Sequence, residues 1–197
     1  DGLWSDRKNL PEARRVAELV VEHYRGKPDK SLGVIAFNAT QQQAIEDAIY
    51  ELRRSSPVID VLLKEGTHEP LFIKNLENVQ GDERDAIFVS VGYGPGEDGK
   101  VSLNFGPVSA TGGERRLNVL MTRAKRVLQI FSSMHAEDID LTRATGRGPA
   151  VFREYLRYAE KGGEFDAARG GRSSDRFADV VAHQLEERGY SVVKQVG

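Results

Sequence analysis

The sequence predicts an α/β fold in which a parallel β-sheet carries helices on both faces. Short segments that are almost wholly apolar, such as Ser31–Phe37 and Ala86–Val91, are typical of parallel strands, because such strands are buried on both faces. Five strand signals of this kind alternate with segments whose apolar residues recur every three or four positions, as in amphipathic helices. Strands that alternate with helices in this way form parallel sheets.

Composition places the chain among soluble globular proteins. Of its 197 residues, 39% are hydrophobic and 29% are charged, and the formal net charge is −2, so any nucleic-acid surface has to be a local basic patch. The absence of cysteine excludes disulfides, thiolate zinc sites and cysteine nucleophiles. No apolar run approaches the ~18–20 residues that cross a bilayer, and no signal peptide is visible. We therefore expect a cytoplasmic protein with no membrane partner.

The first predicted helix covers residues 10–25. Asn9 is placed to cap it, Pro11 is tolerated in its first turn, and Glu12 favours its N-terminal end. The residues of its apolar face are Leu10, Ala13, Val16, Ala17, Val20 and Val21. We expect this helix to serve packing.

A buried strand at Ser31–Phe37 leads into a second helix over residues 41–54. Asn38–Thr40 lies between the two and suits a helix cap. The next apolar segment, Val58–Leu63, fits either a strand or the end of a helix.

Two further strands flank a polar turn. Leu71–Asn75 begins with three apolar residues and Ala86–Val91 is apolar apart from Ser90, whereas residues 76–85 between them are mostly polar. Gly92–Lys100 then has the composition of a flexible turn. It is not a phosphate-binding loop, since the pattern G-x-x-x-x-G-K-[ST] occurs nowhere in the sequence.

The stretch from Gly113 to Phe131 organises the chain. It predicts a helix that enters a short buried strand, and Gly112–Gly113 allows the chain to turn before the helix. One helix face would carry Leu117, Leu120, Met121 and Ala124. Five cations fall within twelve residues, namely Arg115, Arg116, Arg123, Lys125 and Arg126. Composition alone leaves open a solvated basic face with ion pairs four residues apart.

The C-terminal part changes in character after residue 160. A helix over residues 150–160 carries an apolar stripe that we expect to pack in the core. The glycine-, serine- and arginine-rich stretch that follows is typical of a linker. The sequence thus divides into a main domain at 1–160, a linker at 161–174 and a helix-strand piece at 175–197.

The order of residues in Arg115–Lys125 resembles motif VI of the superfamily 1 helicases, in the branch typified by the nonsense-mediated-decay helicase. Val79–Asp85, followed by an apolar strand, resembles motif V, and the strand, cap and glutamine that end at Gln41 have the layout of motif IV. The resemblance covers roughly residues 9–160. It implies the second RecA-like domain of an ATP-driven nucleic-acid motor.

The resemblance also implies roles for single residues. Arg123 and Gln80 would be catalytic, and Arg123 would reach across a cleft to the γ-phosphate, where a planar and always charged guanidinium suits charge spread over phosphate oxygens. Nucleotide contacts are implied for Gly81, Glu83, Arg116 and Gln41. Nucleic-acid contacts are implied for Asn78, Asn38 and Thr40, with Asn78 standing where the family has Ser or Thr.

Each of these roles has a plainer alternative. Gln41 is also an ordinary polar residue in the first turn of a helix, and Gln80–Asp85 is also an acidic turn in which Gly and Asp are expected. For Arg123 the plainer alternative is a helix-capping or salt-bridging arginine. No metal site is expected, because HExxH spacing occurs nowhere in the sequence.

The resemblance implies ATP and Mg²⁺ as cofactors. The P-loop lysine and the Mg²⁺ ligands would belong to the first RecA-like domain of the same polypeptide, which is absent from this sequence. Both ends of the sequence look cut, so we expect an excised fragment that is inactive alone. Nucleic acid is the other expected partner, DNA ahead of RNA.

Residues 175–197 resemble the start of a restriction-endonuclease-like module, akin to very-short-patch repair nucleases. Ala178–Asp179 stands near the place where those nucleases have a helix glutamate, and their metal-binding acids would lie beyond Gly197. Two other functions therefore stay open. One is a non-catalytic nucleic-acid-binding or docking module, and the other is a nuclease subunit with a motor-like appendage.

Overall fold

The computed structural model describes residues 7–65, 69–79, 81–96, 99–144 and 146–162. Residues 1–160 group into one unit, and the fold is that of this unit. Apart from Lys161 and Gly162, the predicted linker lies outside the described residues, as does the whole nuclease-like module. Both stay predictions.

Four parallel strands form one sheet, in the order β2-β1-β3-β4. The chain runs through α1 (Leu10–Gly26), β1 (Leu32–Ala36), α2 (Ala39–Ser55), α3 (Pro57–Glu65), β2 (Phe72–Asn75), β3 (Arg84–Ser90), α4 (Gly113–Met121), β4 (Ala124–Phe131) and α5 (Gly148–Glu160). Single 3₁₀ turns occur at Gly106–Val108 and Ala136–Asp138. The predicted α/β fold with a RecA-like parallel sheet is confirmed.

Helices cover both faces of the sheet. On one face, α1 and α2 pack against Leu32, Val34 and Ala36 of β1. On the other face, α4 and α5 pack against a second set of strand side chains that includes Ile35 and Ile87. Every residue of β1 is buried, which is why its sequence is apolar throughout rather than alternating.

Two helix starts follow the sequence closely. The Asn9 side chain accepts a hydrogen bond from the Glu12 N–H and so caps α1. The Asn38 side chain accepts from the Gln41 N–H and caps α2. Each satisfies a backbone donor that has no partner within its helix.

Three expectations about the elements need correction or completion. The sequence predicts a buried strand after α4. In the structure no residue of β4 is buried, because β4 is the outermost strand on one side of the sheet. Ala124 does not share a helix face with Leu117, since α4 ends at Met121 and Ala124 begins β4. Val58–Leu63, which fitted a strand or a helix end, lies within α3.

The carbonyl oxygen of Val108 lies where two helices begin. A Cβ atom on Gly113, at the start of α4, or on Gly148, at the start of α5, would overlap this oxygen. Both positions are therefore restricted to glycine by close approach of the backbone. The contact fixes the starts of α4 and α5 against the same short turn.

Replacement of Gly113 by Ala should destabilise the domain. The new methyl group overlaps backbone that cannot rotate away, so we expect a loss of about 3 kcal/mol in the free energy of unfolding, as for overpacked cores. Gly26→Ala is the matched control, because a Cβ there meets no atom within 4 Å and alanine favours helix. Urea unfolding of the three proteins measures both effects, and equal midpoints for Gly113→Ala and the parent would contradict the close approach.

Candidate functional site

Arg123 follows α4 and lies at the amino end of β4. Its Nε donates to Val119 O at 2.9 Å, and its Nη2 donates to Thr122 Oγ1 at 3.0 Å. Its Nη1 lies 4.0 Å from Glu83 Oε1, and only 17% of the side chain is exposed. The guanidinium is therefore held against the end of α4 and directed toward the turn before β3.

The turn before β3 carries three of the residues predicted for nucleotide chemistry. Gly81 has φ +89°, and a Cβ there would meet no atom within 4 Å, so the position favours glycine for its backbone conformation. The Glu83 carboxylate is 53% exposed and can accept hydrogen bonds from a ligand. Gln80 lies outside the described residues. The structure therefore brings Arg123 to Glu83.

Paired charges surround this turn. The Ser31 N–H and Oγ both donate to Asp85 Oδ2, at 3.1 and 3.2 Å, and Arg126 Nε lies 3.3 Å from Asp85 Oδ1. The hydrogen bond from the Ser31 backbone, followed by that from its hydroxyl, holds the pKa of Asp85 below its ordinary value. Lys125 pairs with Glu69 at 2.9 Å. Asp85 thus joins β1 to β3, as a residue that closes the turn.

Arg116 lies in α4, away from Arg123. Its Nη1 donates to Pro107 O at 3.2 Å and to Thr111 O at 3.1 Å. The Arg123 side chain is directed instead to Val119 O, near the other end of α4. In this conformation Arg116 joins α4 to the loop that precedes it.

The residues predicted for nucleic-acid binding lie where the carboxyl ends of the strands meet, which we call the carboxyl edge. Arg123 and Glu83 lie where the strands begin, which we call the amino edge. Asn38 follows β1 and Asn78 follows β2, and the ends of these two strands are paired through Ala36 and Asn75. Asn78 and Thr40 are exposed, whereas Asn38 is partly buried. Neutral side-chain donors beside the N-terminus of a long helix suit contact with phosphate oxygens.

Gln41 is fully buried at this carboxyl edge, with 0% of its surface exposed. Its Oε1 accepts from the Asn9 N–H at 2.8 Å. Its Nε2 donates to Asn9 O at 3.2 Å and to Ser90 Oγ at 3.0 Å. Since Ser90 ends β3 and Arg84 begins it, six steps of ~3.3 Å place Gln41 about 20 Å from the Arg123 end. The structure therefore does not bring Gln41, which was predicted to contact nucleotide, together with Arg123.

Sequence reasoning missed the carboxylate at the centre of this edge. Glu12 is 7% exposed, and its Oε1 accepts from Ser90 Oγ at 2.6 Å and from the Gly92 N–H at 2.8 Å. Burial raises the pKa of Glu12 to about 7, although hydrogen bonds from Ser90 and Gly92 act against the rise. The signal available was an acidic residue directly beside the apolar face of α1.

Among the described residues, no group of three or more His, Cys, Asp or Glu could hold a metal ion. No helix in that part of the chain has the length and apolar character needed to cross a membrane.

The sheet and its loops define a RecA-like α/β domain. Residues 4–135, more than half of the chain, match the family described as an AAA domain, and the chain belongs to that family. It is 40% identical over 165 residues to a protein of Mycoplasma pneumoniae named Uncharacterized ATP-dependent helicase MG140 homolog. It is 41% identical over 166 residues to the Uncharacterized ATP-dependent helicase MG140 of Mycoplasma genitalium. Each match covers 81% of this chain and 14% of the relative.

Glu12→Gln should remove a pH dependence from the stability of the domain. The pKa of Glu12 is raised from 4.5 to about 7 on folding, so its contribution is complete below pH 4.5 and is lost as pH rises through 7. We expect the stability of the parent protein relative to Glu12→Gln to fall by up to about 3 kcal/mol over this window. Urea unfolding at several pH values measures the difference, and parallel pH curves for the two proteins would contradict it.

Proposed function

We propose that residues 1–160 are the second RecA-like motor domain of an ATP-dependent helicase. The observation that carries the proposal is the position of Arg123, held at the amino edge of the sheet 4.0 Å from Glu83, with the candidate nucleic-acid residues at the other edge. The names of the two relatives support it. Because the chain spans 14% of each relative, the activity belongs to a larger polypeptide.

In this proposal the amino edge meets ATP bound on a neighbouring domain. The open space at Gly81 and the exposed Glu83 carboxylate fit a ligand that carries hydroxyl donors. ATP, when bound, supplies the phosphoryl group that is transferred to water. Arg123 would release Val119 O and Thr122 and place its guanidinium against the phosphate oxygens. Gln80 would orient the attacking water.

Mg²⁺ would be held elsewhere in the polypeptide. The described residues offer no cluster of three acidic or histidine side chains, and the sequence has no P-loop lysine pattern. We therefore assign the metal ligands to the first RecA-like domain. The chemistry left to this chain is stabilisation of charge on the transferred phosphate.

The carboxyl edge would hold the nucleic-acid strand. Thr40, in the first turn of α2, and Asn78, in the loop after β2, are exposed donors. The Asn38 side chain caps α2 by accepting from the Gln41 N–H. Such neutral contacts position a phosphate backbone without reading its sequence. Movement between the two RecA-like domains on ATP binding would then shift this edge along the strand.

Arg123→Ala in the full-length protein should lower kcat for ATP hydrolysis by about 10³-fold or more, as loss of an arginine finger does. The affinity for ATP should change much less, because the arginine acts on charge that develops during transfer. A phosphate-release assay at saturating ATP and nucleic acid measures kcat.

Arg115→Ala is the matched control for this experiment. Arg115 lies in α4, the helix that Arg123 follows, is exposed and has no part in the proposed mechanism. We expect Arg115→Ala to keep kcat within about twofold, since surface charges far from the reacting atoms contribute little. Equal turnover by Arg123→Ala and Arg115→Ala would contradict the catalytic role of Arg123.

The 197-residue chain alone should not turn over ATP. Its sequence lacks the G-x-x-x-x-G-K-[ST] loop that cradles phosphates. Steady release of phosphate by the purified chain, above the level of a matched Arg123→Ala preparation, would overturn the assignment to the second motor domain.

A further inference from the structure

Gln41 has little capacity left to bind a ligand. Both hydrogens of its amide nitrogen are used, one on Asn9 O and one on Ser90 Oγ, and its oxygen accepts from the Asn9 N–H. The side chain therefore pairs with the Asn9 peptide in both directions, as a neighbouring strand would. To reach a ligand it would have to give up these three buried hydrogen bonds, each of which contributes a net ~1 kcal/mol.

Close packing also holds Gln41 in place. A Cβ on Gly92 would come within 2.6 Å of Gln41 Cγ and 2.8 Å of Cδ, so the backbone at residue 92 lies directly against the side chain. Gly92 itself donates to Glu12 Oε1. Gln41 is thus confined between the start of α1 and the loop after β3.

The contacts of Gln41 join loops that are distant in sequence. Through Asn9 it reaches Ser133 after β4, because Asn9 Nδ2 donates to Ser133 Oγ at 2.8 Å. Through Ser90 it reaches the end of β3. Its own N–H donates to Asn38 Oδ1 at 2.8 Å, so the cap and first turn of α2, which carry Asn38 and Thr40, are attached to it.

We propose that Gln41 is a positioning residue, which holds the cap and first turn of α2, Asn38 to Thr40, for nucleic acid through Asn9 and Ser90 and touches neither nucleic acid nor ATP. This inference rests on the proposed function of the carboxyl edge. It replaces the nucleotide contact that the sequence pattern implied for Gln41. It also gives Ser90, which is fully buried, a role in binding at a distance.

The test uses the full-length protein and two probes. One probe is a fluorescein-labelled single-stranded oligodeoxythymidylate, and the other is a fluorescent ATP analogue with Mg²⁺. We expect Gln41→Ala and Ser90→Ala each to weaken oligonucleotide binding by about tenfold, with the double variant no weaker than about the worse single one, since both act through one network. Binding of the ATP analogue should stay unchanged, because Arg123 lies at the other edge.

Gln43→Ala is the control. Gln43 has the same chemistry on the same helix, is exposed, and donates from its Nε2 to Asp47 Oδ1 one turn further along α2, so its loss should leave both affinities unchanged. Thermal unfolding curves of every variant identify a temperature at which all of them are folded, and binding is measured at that temperature. Gln41→Glu keeps an acceptor for the Asn9 N–H but has no N–H to donate to Asn9 O, and it places a second carboxylate beside the Ser90 hydroxyl that donates to Glu12. It should therefore bind the oligonucleotide no better than Gln41→Ala.

Each other outcome counts against the inference. Weaker binding of the ATP analogue by Gln41→Ala would make Gln41 a nucleotide contact. Unchanged oligonucleotide affinity in folded Gln41→Ala, or in folded Ser90→Ala, would leave only a structural role. If the unaltered protein binds no oligonucleotide, the proposed function of the carboxyl edge fails and the inference fails with it.

Discussion

The parallel direction of all four strands is the constraint from which the rest of the domain follows. A chain that always runs the same way through a sheet must return to the amino edge between strands. Residues just before a strand therefore lie at one edge, as Glu83 and Arg123 do, and residues just after a strand lie at the other, as Asn38 and Asn78 do. Whether a motif precedes or follows its strand therefore determines at which end of the sheet its side chains lie.

Polar side chains hold the carboxyl edge together where apolar packing cannot. Loops there bring backbone donors and acceptors out of the helices and strands, and burial without partners would cost several kcal/mol. Asn9 meets this need in several ways, because its backbone pairs with Gln41, its oxygen caps α1 and its amide nitrogen donates to Ser133. The same burial raises the pKa of Glu12 to about 7. The same hydrogen bonds therefore stabilise this edge and fix the geometry of its loops.

Local chemistry predicted much of this domain, and distant contacts explain what it missed. The caps at Asn9 and Asn38 and the backbone of Gly81 depend on residues within a few positions, so the sequence reveals them. The contact between Glu12 and Ser90 spans 78 residues, and no local pattern encodes it. The exposure of β4 was missed for a similar reason, because an apolar run does not tell whether its strand is central or at an edge.

The resting contacts of Arg123 are weak enough to give way. Its two hydrogen bonds go to Val119 O and the Thr122 hydroxyl, and each such bond contributes a net ~1–3 kcal/mol. Its ion pair with Glu83 is long and half exposed at 4.0 Å, which places it among pairs worth at most ~1 kcal/mol. In the proposed function, a phosphate on a neighbouring domain would offer bidentate, charge-assisted bonds in a drier setting. The contacts at the end of α4 are weak enough for Arg123 to exchange them for such a partner.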